Sequence, residues 1–124
     1  MSTSGDRFRY FSEGDELSAE GRLLALIPAG IATKLKLIKA IADAAKFPDY
    51  FGMNWDALDE CLHDLSWIPT RQLALVHEDL PLRQHERDVA TYLKILRNAV
   101  EYWCARDANR LAVFFPTGLD VAAP

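Results

Sequence analysis

Three short apolar runs constrain the fold more than any other feature of this chain. They are Leu23-Leu24-Ala25-Leu26-Ile27, Gln72-Leu73-Ala74-Leu75-Val76 and Leu111-Ala112-Val113-Phe114-Phe115. Pro28 and Pro116 close the first and third, and Pro69 precedes the second. Runs this short, with little polar alternation, are what strands covered on both faces look like. Helical patterns separate them. Strands alternating with helices predict crossover connections and a parallel sheet. The expected fold is therefore α/β: a single domain over residues 22–115, with a three-stranded parallel sheet covered by helices. Residues 1–21 are polar and irregular and read as a tail or peripheral element, although Phe8, Tyr10 and Phe11 offer packing surface. Residues 116–124 read as a breaker-rich C-terminal tail. A chain of 124 residues, half of them hydrophobic, supports one core and not two.

The helical segments follow from spacing. From Ile31 to Lys46, Leu35, Ile38, Ile41 or Ala42, and Ala45 recur at helical intervals, with Lys34, Lys39, Asp43 and Lys46 between them. Pro48 stops this helix. Asn54 is a good N-cap for a second helix reaching Leu65, and Met53 with Leu58 has the spacing of a hydrophobic staple. A long helix runs from Glu86 to about Arg106, with Val89, Tyr92 or Leu93, Leu96, Ala99 or Val100, and Trp103 on one side.

Composition excludes several classes. The formal net charge is -4, and no dense Lys/Arg cluster suggests a nucleic-acid surface. Cys61 and Cys104 form no CxxC pair and no disulfide framework. The N-terminal MSTSGDRFRYFSEGDE lacks the apolar stretch of a signal peptide. No apolar run approaches the roughly 20 residues of a membrane span. The expectation is a cytoplasmic protein with reduced cysteines, no cofactor and no membrane attachment.

Charge is concentrated in one place. Between Asp49 and Asp64 lie Asp49, Asp56, Asp59, Glu60 and Asp64, with no Lys or Arg. That stretch carries -5, leaving +1 for the rest of the chain. On a helix from Asn54 to Leu65, the residues Leu58, Cys61, Leu62 and Leu65 share an inward stripe, and Asp56, Asp59, Glu60 and His63 share another face. Like charges at these spacings cost about 0.2–0.5 kcal/mol per pair. Two effects offset that cost. The helix dipole favours Asp56 and Asp59 near the N-terminus. A cationic partner would favour all of them. On charge alone the solvated face is the commoner case.

The segment Phe47-Pro48-Asp49-Tyr50-Phe51-Gly52-Met53-Asn54-Trp55-Asp56-Ala57-Leu58-Asp59-Glu60-Cys61-Leu62 resembles the signature of the barstar family. The order of strands and helices agrees over about Arg22 to Phe115, most densely at this motif. The resemblance implies a ribonuclease inhibitor, monomeric when free, whose partner is a basic ribonuclease or related toxin with a cationic cleft. It implies a central position for the first strand. It implies a partner-binding surface of Tyr50, Phe51, Gly52, Asn54, Asp56, Asp59, Glu60, His63 and Asp64. Within it Tyr50 matches the aromatic that stacks at the nuclease site, Asp56 an acid that pairs with nuclease cations, and Glu60 the acid that fills the active site. The chain departs from the family's best-known inhibitor in having Glu60 in place of Asp and Asp59 in place of Trp. An acid of that inhibitor's last helix falls near Asn98, with Glu101 one turn on.

Other readings compete. Cys61 with His63, or Asp56 with Glu60, can be drawn as a catalytic set, but no base is positioned against a nucleophile, and neither a phosphate loop nor a GxSxG elbow occurs. The expectation is that the chain is not an enzyme. An alternative keeps the fold and directs it, as an immunity protein or regulatory binding module, at a different toxin or partner. Cys61 is expected to pack as a small hydrophobe. His77 and His85 have no third ligand nearby, so no metal site is expected. Trp55 and Trp103 fit packing roles. Trp67 stands open between core and interface.

Overall fold

The computed structural model describes residues 8–48 and 52–119. The elements run β1 (Arg9–Phe11), β2 (Arg22–Ile27), α1 (Lys34–Ala44), α2 (Trp55–Asp64), β3 (Gln72–His77), α3 (Glu86–Ala105) and β4 (Leu111–Pro116). The sheet order is β1-β4-β3-β2, with every neighbouring pair parallel.

Two expectations are corrected. The sheet has four strands, not three. The extra one, β1, is three residues long and pairs Arg9 with Phe114 and Phe11 with Pro116. Its exposed Arg9 and Tyr10 hide it from a search for apolar runs. The strand at 22–27 is not central but lies at an outer edge, paired only with β3. Each crossover, β2 to β3 and β3 to β4, steps one place in the same direction, so the first of these strands is left at the rim. Burial follows position. β3 and β4 are buried along nearly their whole length, whereas β2 leaves Leu26 56% exposed.

All three helices pack on one face of the sheet. There Ala25, Ile27, Leu73, Leu75, Leu111, Val113 and Phe115 meet Leu37 and Ile41 of α1, Leu58 and Leu62 of α2, and Tyr92, Leu96 and Ala99 of α3. The other face carries a smaller cluster of Ala74, Val76, Ala112 and Phe114, packed against Phe11, Leu17 and Leu24. The link from β1 to β2 joins opposite rims and crosses this face. Arg22 Nη1 donates to the Leu17 carbonyl at 2.7 Å, and the Arg9 and Arg22 guanidinium groups stand 5.8 and 5.3 Å from the Phe114 ring centre. These cations close a polar cover over a small apolar floor.

Local chemistry sets the helix bounds. Thr33 caps α1 by accepting the Lys36 N–H at 3.2 Å, so the helix starts later than the apolar spacing suggested. Leu37, Ile38 and Ile41 are buried, whereas Leu35, expected on the inner stripe, is 57% exposed. Met53, expected to staple onto Leu58, is also exposed, whereas Leu58 is fully buried.

Among the described residues, one buried polar residue stands in the core. His77, at the end of β3, stacks on Phe115 with ring centres 4.1 Å apart. Its Nδ1 lies 2.9 Å from the Phe114 carbonyl and its Nε2 lies 2.6 Å from the Tyr92 hydroxyl. A carbonyl only accepts, so Nδ1 carries the proton and Nε2 accepts from Tyr92. Burial holds this imidazole below the ordinary histidine value of 6.5, at about 4, despite the bond to Phe114, which acts the other way. The unfolded chain therefore binds a proton that the folded chain refuses. Stability from this site is complete above the unfolded value near 6.5 and is lost as pH falls through the folded value, about 3 kcal/mol in all. Between about pH 7 and about pH 4.5, urea unfolding is expected to show wild type losing about 2–3 kcal/mol more than His77→Gln. Equal losses would place the acid sensitivity elsewhere.

Candidate binding helix and its setting

Helix α2 is held at both ends and along one side. The Asn54 side-chain carbonyl accepts the Ala57 N–H at 2.8 Å, as an N-cap should. Leu58, Leu62 and Leu65 are fully buried. The helix ends in the left-handed conformation at Leu65, φ 55°, whose N–H returns to the Cys61 carbonyl. A leucine there carries a conformational cost that glycine would not. Burial of its side chain offsets that cost. The late carbonyls, which a helix cannot satisfy by itself, receive external donors. Trp103 of α3 gives its indole N–H to the Leu62 carbonyl at 2.8 Å. Arg110, just before β4, donates to the Leu65 carbonyl and also to those of Thr70 and Arg71. Trp67 donates to the Ala45 carbonyl at 3.1 Å and meets Phe47 edge-on at 5.3 Å. It thus pins the end of α1 to the chain leaving α2, with its ring half-buried.

The outward side of α2 divides in two. Asp56, Glu60 and Asp64, spaced by four, are all exposed and form one row. Asp64 also accepts the Ser66 hydroxyl at 3.2 Å. Asp59 and His63 lean the other way, toward α3. His63 Nδ1 donates to the Asp59 carbonyl at 2.8 Å and lies 3.5 Å from its carboxylate. Its ring meets Tyr102 edge-on at 4.6 Å, and the Arg106 guanidinium covers the Tyr102 ring at 3.6 Å. An open groove of about 300 Å³ separates the helices, lined by Trp55, Asp56 and Asp59 from α2 and by Thr91, Lys94, Ile95 and Asn98 from α3. Lys34 of α1 stands 5.8 Å from the centre of the Trp55 ring.

The segment without Lys or Arg in sequence is thus bordered by two lysines in space. The signal for Lys94 lay in α3, where Thr91, Lys94 and Asn98 share one polar stripe at helical spacing. Nothing in the sequence ties Lys34 to Trp55. Asn98 lines the same groove as Asp59. Gly52 is exposed, and its carbonyl accepts the Asn54 N–H at 2.9 Å. Tyr50 and Phe51, with Asp49, lie outside the described residues.

The thiol of Cys61 is partly buried on the inner side of α2. Burial, and then the carboxylates of Asp64 and Glu60, push it up to about 11, so it is protonated at neutral pH and a poor nucleophile. Among the described residues, no group of three or more His, Cys, Asp or Glu is placed to hold a metal ion. No helix there is long and apolar enough to cross a membrane.

Fold and site together define a small parallel α/β protein that carries an acidic helix on its surface. A family model described as Barstar (barnase inhibitor) matches residues 22–116, and the chain belongs to the barstar family. Membership implies a ribonuclease inhibitor or an immunity-like role rather than an enzyme. No curated protein matches the chain.

The anchoring of α2 has a direct test. Trp103→Phe keeps most of the ring and deletes one donor, so stability is expected to fall by about 1–2 kcal/mol. Amide exchange should rise most at residues 62–65. An increase spread evenly over the sheet would mean that the indole bond does not hold the end of α2.

Proposed function

We propose that the protein inhibits a ribonuclease by laying the exposed row of α2 into the enzyme's cationic cleft. The observation that carries this reading is the row itself. Asp56 and Glu60 stand exposed one turn apart, and neither makes an ion pair with any described residue. A ribonuclease binds a polyanion and so presents Arg, Lys and His to it. Carboxylates on a rigid helix can accept charge-assisted hydrogen bonds from those groups, bidentate where the donor is Arg. Glu60 takes the central place, where a substrate phosphate would sit, and Asp56 pairs with cations beside it. Asn54, Gly52, Tyr50 and Phe51 supply the adjoining loop. Asp59, His63 and Asp64 flank the row. The protein is monomeric when free and meets its target in the cytoplasm. A second reading directs the same surface at a different toxin, and Lys94 in the groove supports it, since a cation there opposes a uniformly basic target.

The first test is inhibition of purified ribonucleases, together with rescue of cells that express one. Expression that leaves such cells unprotected, with no inhibition in solution, would shift the reading to the second target class. Within the first class the mutants separate binding from folding. Glu60→Ala is expected to leave folding stability within about 0.5 kcal/mol, because the side chain is exposed. It should cost about 2–5 kcal/mol of binding, the usual range when a desolvated charge loses its partner, mainly as faster dissociation. Asp56→Ala should behave likewise but more weakly. Leu62→Ala should reverse the pattern and lose about 2–5 kcal/mol of stability through its cavity. The measurements are a thermal melt and a dissociation rate for each. Wild-type binding by Glu60→Ala would remove it from the interface.

Charge complementarity also sets the encounter rate. Association is expected to slow about tenfold or more between about 0.02 M and about 0.5 M salt, as the screening length shrinks. A rate indifferent to salt, followed by stopped-flow fluorescence, would count against electrostatic steering.

A further inference from the structure

A chain of aromatic and polar contacts runs from the sheet to the first turn of α2, and packing alone does not explain its polar link. Among the described residues, His77 is the one in the buried polar or charged class. Its Nδ1–H is committed to the Phe114 carbonyl, so the ring is set by the backbone of β4. Its Nε2 then has a fixed direction, and the Tyr92 hydroxyl donates to it at 2.6 Å. Tyr92 is fully buried on α3. Its ring lies nearly parallel to that of Trp55, at 28° and 6.2 Å between centres. Trp55 is the first residue of α2, precedes Asp56, and lines the groove shared with Asp59. An apolar pair in place of His77 and Tyr92 would remove both polar side-chain groups from the core, at the cost of the bond to the Phe114 carbonyl. A directional bond does something different: it tethers the far end of the ring against which Trp55 rests.

We propose that His77 and Tyr92 are positioning residues for the binding helix. Their hydrogen bond orients the aromatic surface that seats Trp55, and with it the first turn of α2 bearing Asp56 and Asp59. The consequence for affinity rests on the proposed function. The positioning itself does not. The rest of α2 has separate anchors in Leu58, Leu62, Trp103 and Arg110, so the effect is local to the first turn. The bond also has a sense. Neutral His77 accepts from Tyr92. A protonated His77 would donate at both nitrogens and leave the Tyr92 proton without its acceptor. The groups that face His77 are the Tyr92 hydroxyl from α3 and the Phe114 carbonyl and Phe115 ring from β4. Those around Trp55 are Lys34 on its ring face and Asp56, Asp59 and Lys94 along the groove. Acid therefore acts on the seat through His77.

The test begins on the free protein, with amide exchange in wild type and Tyr92→Phe. Protection of residues 55–59 is expected to fall about tenfold relative to the strands, because local opening exposes a contiguous unit. In wild type the same turn should lose protection, in excess of the strands, between about pH 7 and about pH 4.5. That excess should be absent in Tyr92→Phe. A uniform fall, no fall, or an acid effect that persists in Tyr92→Phe would overturn the proposal. The double variant His77→Phe with Tyr92→Phe leaves no unpaired imidazole nitrogen. It should recover stability without recovering protection of the turn, and recovery of both would also overturn the proposal. A second arm measures dissociation from a ribonuclease that the wild type inhibits, with about tenfold faster release expected for Tyr92→Phe. Release at the wild-type rate would overturn the proposal. If wild type inhibits no ribonuclease, the proposed function fails, and the first arm decides the positioning role unaided.

Discussion

Two leucines of α2 and the one that caps its end leave water completely, and the rest of the site depends on that burial. Leu58, Leu62 and Leu65 are each fully enclosed between the sheet and α3. Burying a leucine contributes about 1.5–3 kcal/mol. The repulsion between Asp56, Glu60 and Asp64, by contrast, amounts to about 0.2–0.5 kcal/mol for each neighbouring pair. The inner face therefore outweighs the outer by several fold. That margin lets an exposed helix carry like charges in a row and still stay straight and fixed. The indole of Trp103 and the guanidinium of Arg110 complete the hold by satisfying carbonyls at the end of the helix. An acidic surface can be preorganised only if something apolar behind it determines its shape.

The parts of the fold that were legible in sequence are those where one local pattern has one meaning. The runs at 23–27, 72–76 and 111–115 became strands, and Asn54 became the cap of a short helix whose inward residues were read correctly. What was not legible depended on neighbours. Leu23–Ile27 and Leu73–Val76 look alike as strings, yet one sits at a rim and the other in the middle, because position in a sheet is decided by crossovers and not by composition. β1 is too short to leave a pattern, and its pairing partner lies about a hundred residues away. Leu35 has the right spacing for burial, but the neighbouring register of Leu37, Ile38 and Ile41 faces the core instead.

The candidate site shows the same division. Acids on α2 could be located from the segment alone, since helical spacing places them. The lysines that border them come from α1 and α3, and only the packing of three helices on one face of the sheet brings them there. His63 was placed on the charged face, and it is there by spacing. Its ring nevertheless folds back onto Asp59 and Tyr102, because a half-buried imidazole gains more from a carbonyl acceptor and an aromatic edge than from open solvent. His77 gave no sequence signal beyond its place after an apolar run. Its meaning appears only when Phe114 and Tyr92 are seen on either side of it.

The pairing of β1 with β4 has a consequence for the order in which the molecule can be made. Arg9 meets Phe114, so a segment that leaves the ribosome early must wait for one that leaves late before it has an edge to join. The donors that finish α2, Trp103 and Arg110, belong to that same late portion. A nascent chain can therefore display the acidic residues well before it can hold them in place. Ribosomal synthesis proceeds at about 5–20 residues per second, so the interval between the emergence of Asp56 and that of Arg110 is on the order of several seconds. Maturity arrives with the last strand, and the helix is older than the contacts that hold it.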